Sequence, residues 1–284
     1  MKKTLVIFGV LLLMVIATKQ EVKAQIIDGA YKREDLAKRK PTSLPMPREA
    51  DVMWRKKIWR IIDLREKINQ PLYFPTTKID DRYNLVNLLI EGIKNDKITA
   101  YDAKNDDEFK VPMKFEQVKE AFGATTRTQM VRDVDTGELK PKQITGEIRS
   151  EEVKQFMVKE EWVFDKQSSQ MIVRIIGICP IQEFYRDGDT NQENVQRRQV
   201  FWVYYPEARE LLAQNEVFNP ENSARNPSFD DIFLKRRFNS YIVKAENIYN
   251  NRDISQYLTG KDAMLESKRI ENSIFDYEQN LWEY

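Results

Sequence analysis

The chain has 284 residues, with 46 Lys+Arg against 45 Asp+Glu, one cysteine and no histidine. A histidine-free chain cannot build a Ser-His-Asp or Cys-His site, and one cysteine supports neither a thiolate zinc site nor an internal disulfide. The balanced charge lacks the basic excess of a nucleic-acid binder, and the nine scattered glycines form no phosphate loop.

The N-terminus reads as a secretory signal. Lys2 and Lys3 precede the apolar run Thr4–Ala17, and Val22-Lys23-Ala24 supplies the small and apolar residues that signal peptidase reads. The run is shorter than the ~20 residues of a spanning helix, so cleavage after Ala24 is expected, with no direct membrane insertion. Gln25, not cysteine, follows the cleavage point, so the mature chain is expected to be soluble and unlipidated. Residues 25–47 form an extended polar arm, because Pro41, Pro45 and Pro47 forbid a helix there.

A first lobe, 48–149, is expected to open with a helix over Asp51–Asn69. Trp54, Ile58, Ile61, Leu64 and Ile68 recur at spacings of three or four, and Trp59 and Ile62 widen the stripe. One reading packs this face on the domain's own core. The other takes tryptophans interleaved with arginines as a protein-protein anchor, and names Trp54, Trp59, Arg60, Asp63, Arg65 and Tyr73 as partner-binding residues. A strand Leu72–Phe74 follows, then a helix Asp81–Asn95 capped by Asp80, a strand Lys97–Tyr101, and a helix Phe115–Phe122 stopped by Gly123. The acidic loop Asp102–Glu108 lacks the glycine and oxygen spacing of a calcium loop and reads as a solvated turn.

A second lobe, 150–284, begins with two strands, Val158–Asp165 and Met171–Ile181, joined by a turn at Lys166–Gln170. The second is apolar on both faces, as in a covered central strand, and holds Cys179 with no basic neighbour to activate it. Gln199–Tyr205 returns as an aromatic strand, Pro206 opens a helix, and Ser228-Phe229-Asp230-Asp231 has the spacing of a capping box. A strand Tyr241–Ala245 and a long helix from Lys261 close the chain, with Ala263, Ile270, Ile274, Tyr277, Leu281 and Tyr284 on one face. The expected fold class is therefore α+β, in two similar-sized lobes. Helix-then-strand units after Pro75 and after Pro206 echo one another.

The runs WRKKIWRIIDLREKINQPLYFP, NLLIEGIKNDKITAYD and DDEF, between Pro47 and Pro112, resemble the GldN/PorN family of gliding-motility and type IX secretion proteins. FWVYYPEARELL and SFDDIFLKRRFNSYIVKAEN are similar in general plan; Arg127–Ser150 and Arg186–Arg198 carry no matching feature. The resemblance implies a periplasmic structural subunit without cofactor, self-associated in a ring. It also implies two partners: an outer-membrane lipoprotein of the GldK/PorK type, and the periplasmic part of a GldM/PorM-type motor protein. The alternative from the residues alone is a glycoside-acting enzyme or sugar binder, with acids from Glu151, Glu152, Glu160 and Glu161 and Trp162 as a stacking platform.

Overall fold

The structure, a computed structural model, describes residues 38–79, 82–104, 107–124, 126–132, 139–185, 195–219 and 226–281. All of the described residues belong to one compact unit, Leu36–Tyr284. The expected signal peptide, the start of the arm, Asp80 and Tyr284 lie outside the described residues.

The expected first helix is a strand. β1 (Val52–Asp63) runs antiparallel to β6 (Val153–Asp165) on one side and to β10 (Tyr241–Ala245) on the other. It is covered on both faces, so Ile58, Trp59 and Arg60 are buried in succession and the alternation of a half-exposed strand is lost. The segment read as the strand Leu72–Phe74 is instead the one-turn helix α1 (Gln70–Tyr73), with Pro71 in its first turn.

The next elements keep their expected type. α2 (Leu85–Lys94) starts at Asn84, whose side-chain oxygen accepts from the Asn87 N–H at 2.6 Å. β2 (Ala100–Asp102) starts three residues later than expected; β3 (Pro112–Met113) and α3 (Phe115–Ala121) follow, with Gly123 at φ +75° ending the helical segment. β4 (Thr126–Arg132) and β5 (Leu139–Thr145) pair with each other in a hairpin separate from the main sheet. β7 (Gln170–Tyr185) returns antiparallel to β6, and β8 (Val195–Gln199) and β9 (Phe201–Tyr204) pair with it in turn. α4 (Tyr205–Ala213), α5 (Phe229–Leu234) and α6 (Gly260–Asn280) complete the fold, and α5 carries the capping box at Ser228 and Asp231.

The main sheet has the order β10-β1-β6-β7-β9-β2-β3, with β8 beside β7. β1 and β2, from the first expected lobe, thus lie among strands of the second, so the division at 149/150 is not a fold boundary. The helix-then-strand echo survives only as α2–β2 and α5–β10, at different places in one sheet.

On one face Ile62, Phe156, Val158, Phe201 and Val203 pack against Leu85, Leu89, Leu212 and Phe233 of α2, α4 and α5. Farther along β1, Ile58 joins Ile242 beneath Ile270 and Ile274 of α6. Each such large side chain contributes about 1.5–3 kcal/mol through burial. The other face carries Trp59, Cys179 and Trp202, bordered by Tyr101, Phe109 and Met157.

Candidate functional site

Strand geometry separates the residues that a helix would have gathered. Trp54 and Arg60 point to the α6 side of β1, and Trp59 to the opposite face. Trp54 is half-buried and stacks on Tyr277, with ring centroids 4.9 Å apart. Trp59 is only 2% exposed, with Lys244 Nζ at 4.4 Å and Lys159 Nζ at 5.4 Å from its ring centroid. Its expected place as a flanking surface anchor is corrected: it belongs to the core.

The acidic loop, expected to be a solvated turn, lies against this face. Lys159 Nζ donates to the Asp107 carbonyl at 2.6 Å and stands 3.4 Å from its carboxylate, while Phe109 seats over Gly177. Burial pushes the Lys159 ammonium below the usual lysine range, and Asp107 opposes that shift.

Arg60 is likewise withdrawn, at 5% exposure. Its Nε stands 3.4 Å from Oε2 of Glu160, a residue with no exposed surface, and its Nη1 donates to Glu271 Oε1 at 3.2 Å. Arg236 grips the same Glu160 carboxylate at 2.8 and 3.3 Å, and Trp162 Nε1 donates to it at 3.0 Å. The Trp162 ring lies under both guanidiniums, at 5.8 Å from Arg60 and 5.5 Å from Arg236. This cluster ties the sheet to α6 and to the turn after α5. At Glu271 burial opposes ionisation, yet the hydrogen bonds from Lys268 and Arg60 leave its carboxyl below the usual range.

The same geometry separates one of the two adjacent acid pairs, Glu160 and Glu161. Glu160 and Glu161 are consecutive in β6 and point to opposite faces, and Glu161 pairs with Arg55 at 3.1 Å. Trp162, its indole N–H bound to Glu160, is no sugar platform. Among the described residues no group of three or more His, Cys, Asp or Glu could hold a metal ion. Cys179 is fully buried, and burial pushes its thiol up, out of the range of a nucleophile.

The other expected residues gather beyond the C-terminal end of β1. Asp63 accepts from Arg65 Nε at 2.9 Å and Nη2 at 2.6 Å, and from Gln155 Nε2 at 3.0 Å. The Arg65 hydrogen bond, against an opposing burial cost, holds the Asp63 carboxyl down at about 2. Arg65 is exposed and shares a recess of about 260 Å³ with Tyr73, Phe74 and Lys154; Lys154 Nζ donates to Tyr73 Oη at 2.6 Å. Ile68 and Phe74 stand exposed here.

A second surface cluster escaped the sequence reading. Arg252 lies between Tyr249 and Tyr257, 4.5 Å from each ring centroid, on a loop turned by positive φ at Asn250 and Asn251. Ile248 is 89% exposed and Met264 75% exposed, with Leu265 also open to solvent. No periodicity could reveal the cluster, because its members come from a loop, the residue just after a one-turn 3-10 helix and the start of α6. Tyrosine, arginine and methionine at a surface are the composition of a protein interface.

The family profile described as Gliding motility associated protein GldN matches residues 47–283. The chain belongs to the GldN family. The match spans the sheet, α6 and both surface clusters, so the family relation covers the described body rather than one motif. No curated protein matches the chain. The GldN assignment ties it to gliding motility, and no helix among its described residues is long and apolar enough to cross a membrane.

Proposed function

We propose that this GldN-family chain is a periplasmic structural subunit of the type IX secretion and gliding machinery, with no chemistry of its own. In this reading it forms a ring with an outer-membrane lipoprotein of the GldK/PorK type and touches the periplasmic part of a GldM/PorM-type motor protein. The observation that carries the reading is the pair of exposed aromatic-arginine clusters on a GldN-family body: Arg65 with Tyr73 and Phe74, and Arg252 with Tyr249 and Tyr257. A ring needs two different patches per subunit, one meeting the other on its neighbour. In this reading the chain is held at the membrane through its lipoprotein partner.

The test is co-purification from cells carrying a tagged lipoprotein of that type. Replacing Phe74 or Tyr249 by alanine is expected to reduce recovery of the partner or of higher assemblies while leaving the melting temperature nearly unchanged. A central aromatic anchor typically contributes ~2 kcal/mol or more. Full recovery with both clusters truncated together would place assembly elsewhere.

A further inference from the structure

A groove of about 900 Å³ runs between residues 44–49 and the end of the sheet where β1, β6 and β7 meet. Leu44 and Met46 wall one side, with Trp54, Val163, Ile175 and Tyr204 on the other. Three guanidiniums line it, and two are matched by acids. Arg55 pairs with Glu161 at 3.1 Å, and Arg209 with Asp230 at 3.0 Å. Arg174 is different. Its Nη2 donates to the Pro45 carbonyl at 2.7 Å, and no carboxylate among the described residues pairs with it. Burial pulls its pKa below the usual guanidinium range, and the nearby Arg209 adds to that. Glu49 also lines the groove but forms no ion pair with any of the three arginines among the described residues, so a half-buried cation beside apolar walls calls for an anion.

The form of the missing ligand follows from what already lies there. Arg209 Nη2 donates to the Thr42 carbonyl at 2.6 Å, as Arg174 does to Pro45, so both arginines already bind the backbone of a proline-containing segment. The groove is also open along its length, since Met46 and Met53 are exposed; an acyl chain would remain wet there, whereas a peptide carries polar groups that tolerate water. We propose that this groove binds an extended acidic peptide of a partner protein, with Arg174 anchoring a carboxylate and the apolar walls receiving the flanking aliphatic side chains. The site stands independently of the ring reading.

The probe is a short fluorescein-labelled peptide alternating leucine and glutamate, titrated with the full chain and read by anisotropy. Saturable binding is expected, weakened about tenfold or more by Arg174→Gln at unchanged melting temperature. Arg174→Lys, which keeps the charge, is expected to retain most of the affinity. Arg174→Glu should lose this peptide and gain one alternating leucine and lysine. Equal binding by the parent and the Gln variant, or by the Lys and Gln variants, overturns the proposal, as does absence of saturable binding. Decanoate binding more tightly than the peptide at the same site would reassign the groove to an anionic amphiphile and equally overturn it.

Discussion

Glu160→Gln is the sharpest perturbation this fold offers. The substitution keeps the shape of a side chain with no exposed surface but removes the charge facing Arg60 and Arg236. Breaking a buried ion pair from one side typically costs about 3–5 kcal/mol, because the remaining charge is stranded. Two features place this case near the lower bound: the Arg236 side chain is 31% exposed and can regain water, and Arg60 keeps its bond to Glu271. The expected loss is therefore about 3 kcal/mol, which for a chain of this size lowers the melting temperature by roughly 6–12 °C. Equilibrium urea unfolding followed by tryptophan fluorescence measures it, with Trp162 as an internal reporter. Adding Arg236→Met to Glu160→Gln should recover part of the loss by removing one stranded cation. A change below about 0.5 kcal/mol, the range of ordinary surface substitutions, would refute the sealed cluster.

Trp59→Ala is expected to cost about 3–5 kcal/mol in the same assay, since it empties a core position; Trp59→Phe should cost much less, because the indole N–H has no hydrogen-bond partner among the described residues. Asp63 is held at about 2 against an ordinary 3.8, so its stabilisation is present above 3.8 and fades as pH falls toward 2. Urea titrations of Asp63→Asn against the parent should accordingly differ most near neutrality and converge at pH 2. Cys179 should react slowly with an aromatic disulfide reagent in the native state and release one thiol equivalent in denaturant; rapid native labelling would contradict its burial.

How much was legible depended on whether a turn, a proline or a cap marked an element locally. β6 and β7, with the tight turn at Lys166–Ser169 between them, α4 with Pro206 in its first turn and α5 with its capping box all carried local signals that the fold kept. β1 did not. With both its faces covered, apolar residues fall at odd and even positions alike, and three-four spacing then appears without a helix. The β-branched and aromatic content of Val52, Trp54, Ile58, Trp59, Ile61 and Ile62 was the better signal, one of side-chain shape rather than period. The candidate interface inherited that error: Trp59 and Arg60 went inside, while Arg65 and Tyr73 stayed accessible. Neither the clamp on Glu160 nor the Tyr249–Arg252–Tyr257 stack could be read locally, since each joins residues from separate elements.

The position of β1 has a consequence for how the chain reaches its fold. Ile58 pairs with Ala245 and with Glu160, so the earliest main-sheet strand meets one neighbour from mid-chain and another from near the end. Contacts of such long sequence separation close late and make folding slow. A chain cut before Tyr241 would leave β1 as an unpaired edge with Ile58 uncovered, a template for aggregation rather than a smaller stable body. The molecule thus covers the outer edge of β1 only when almost all of the chain is present.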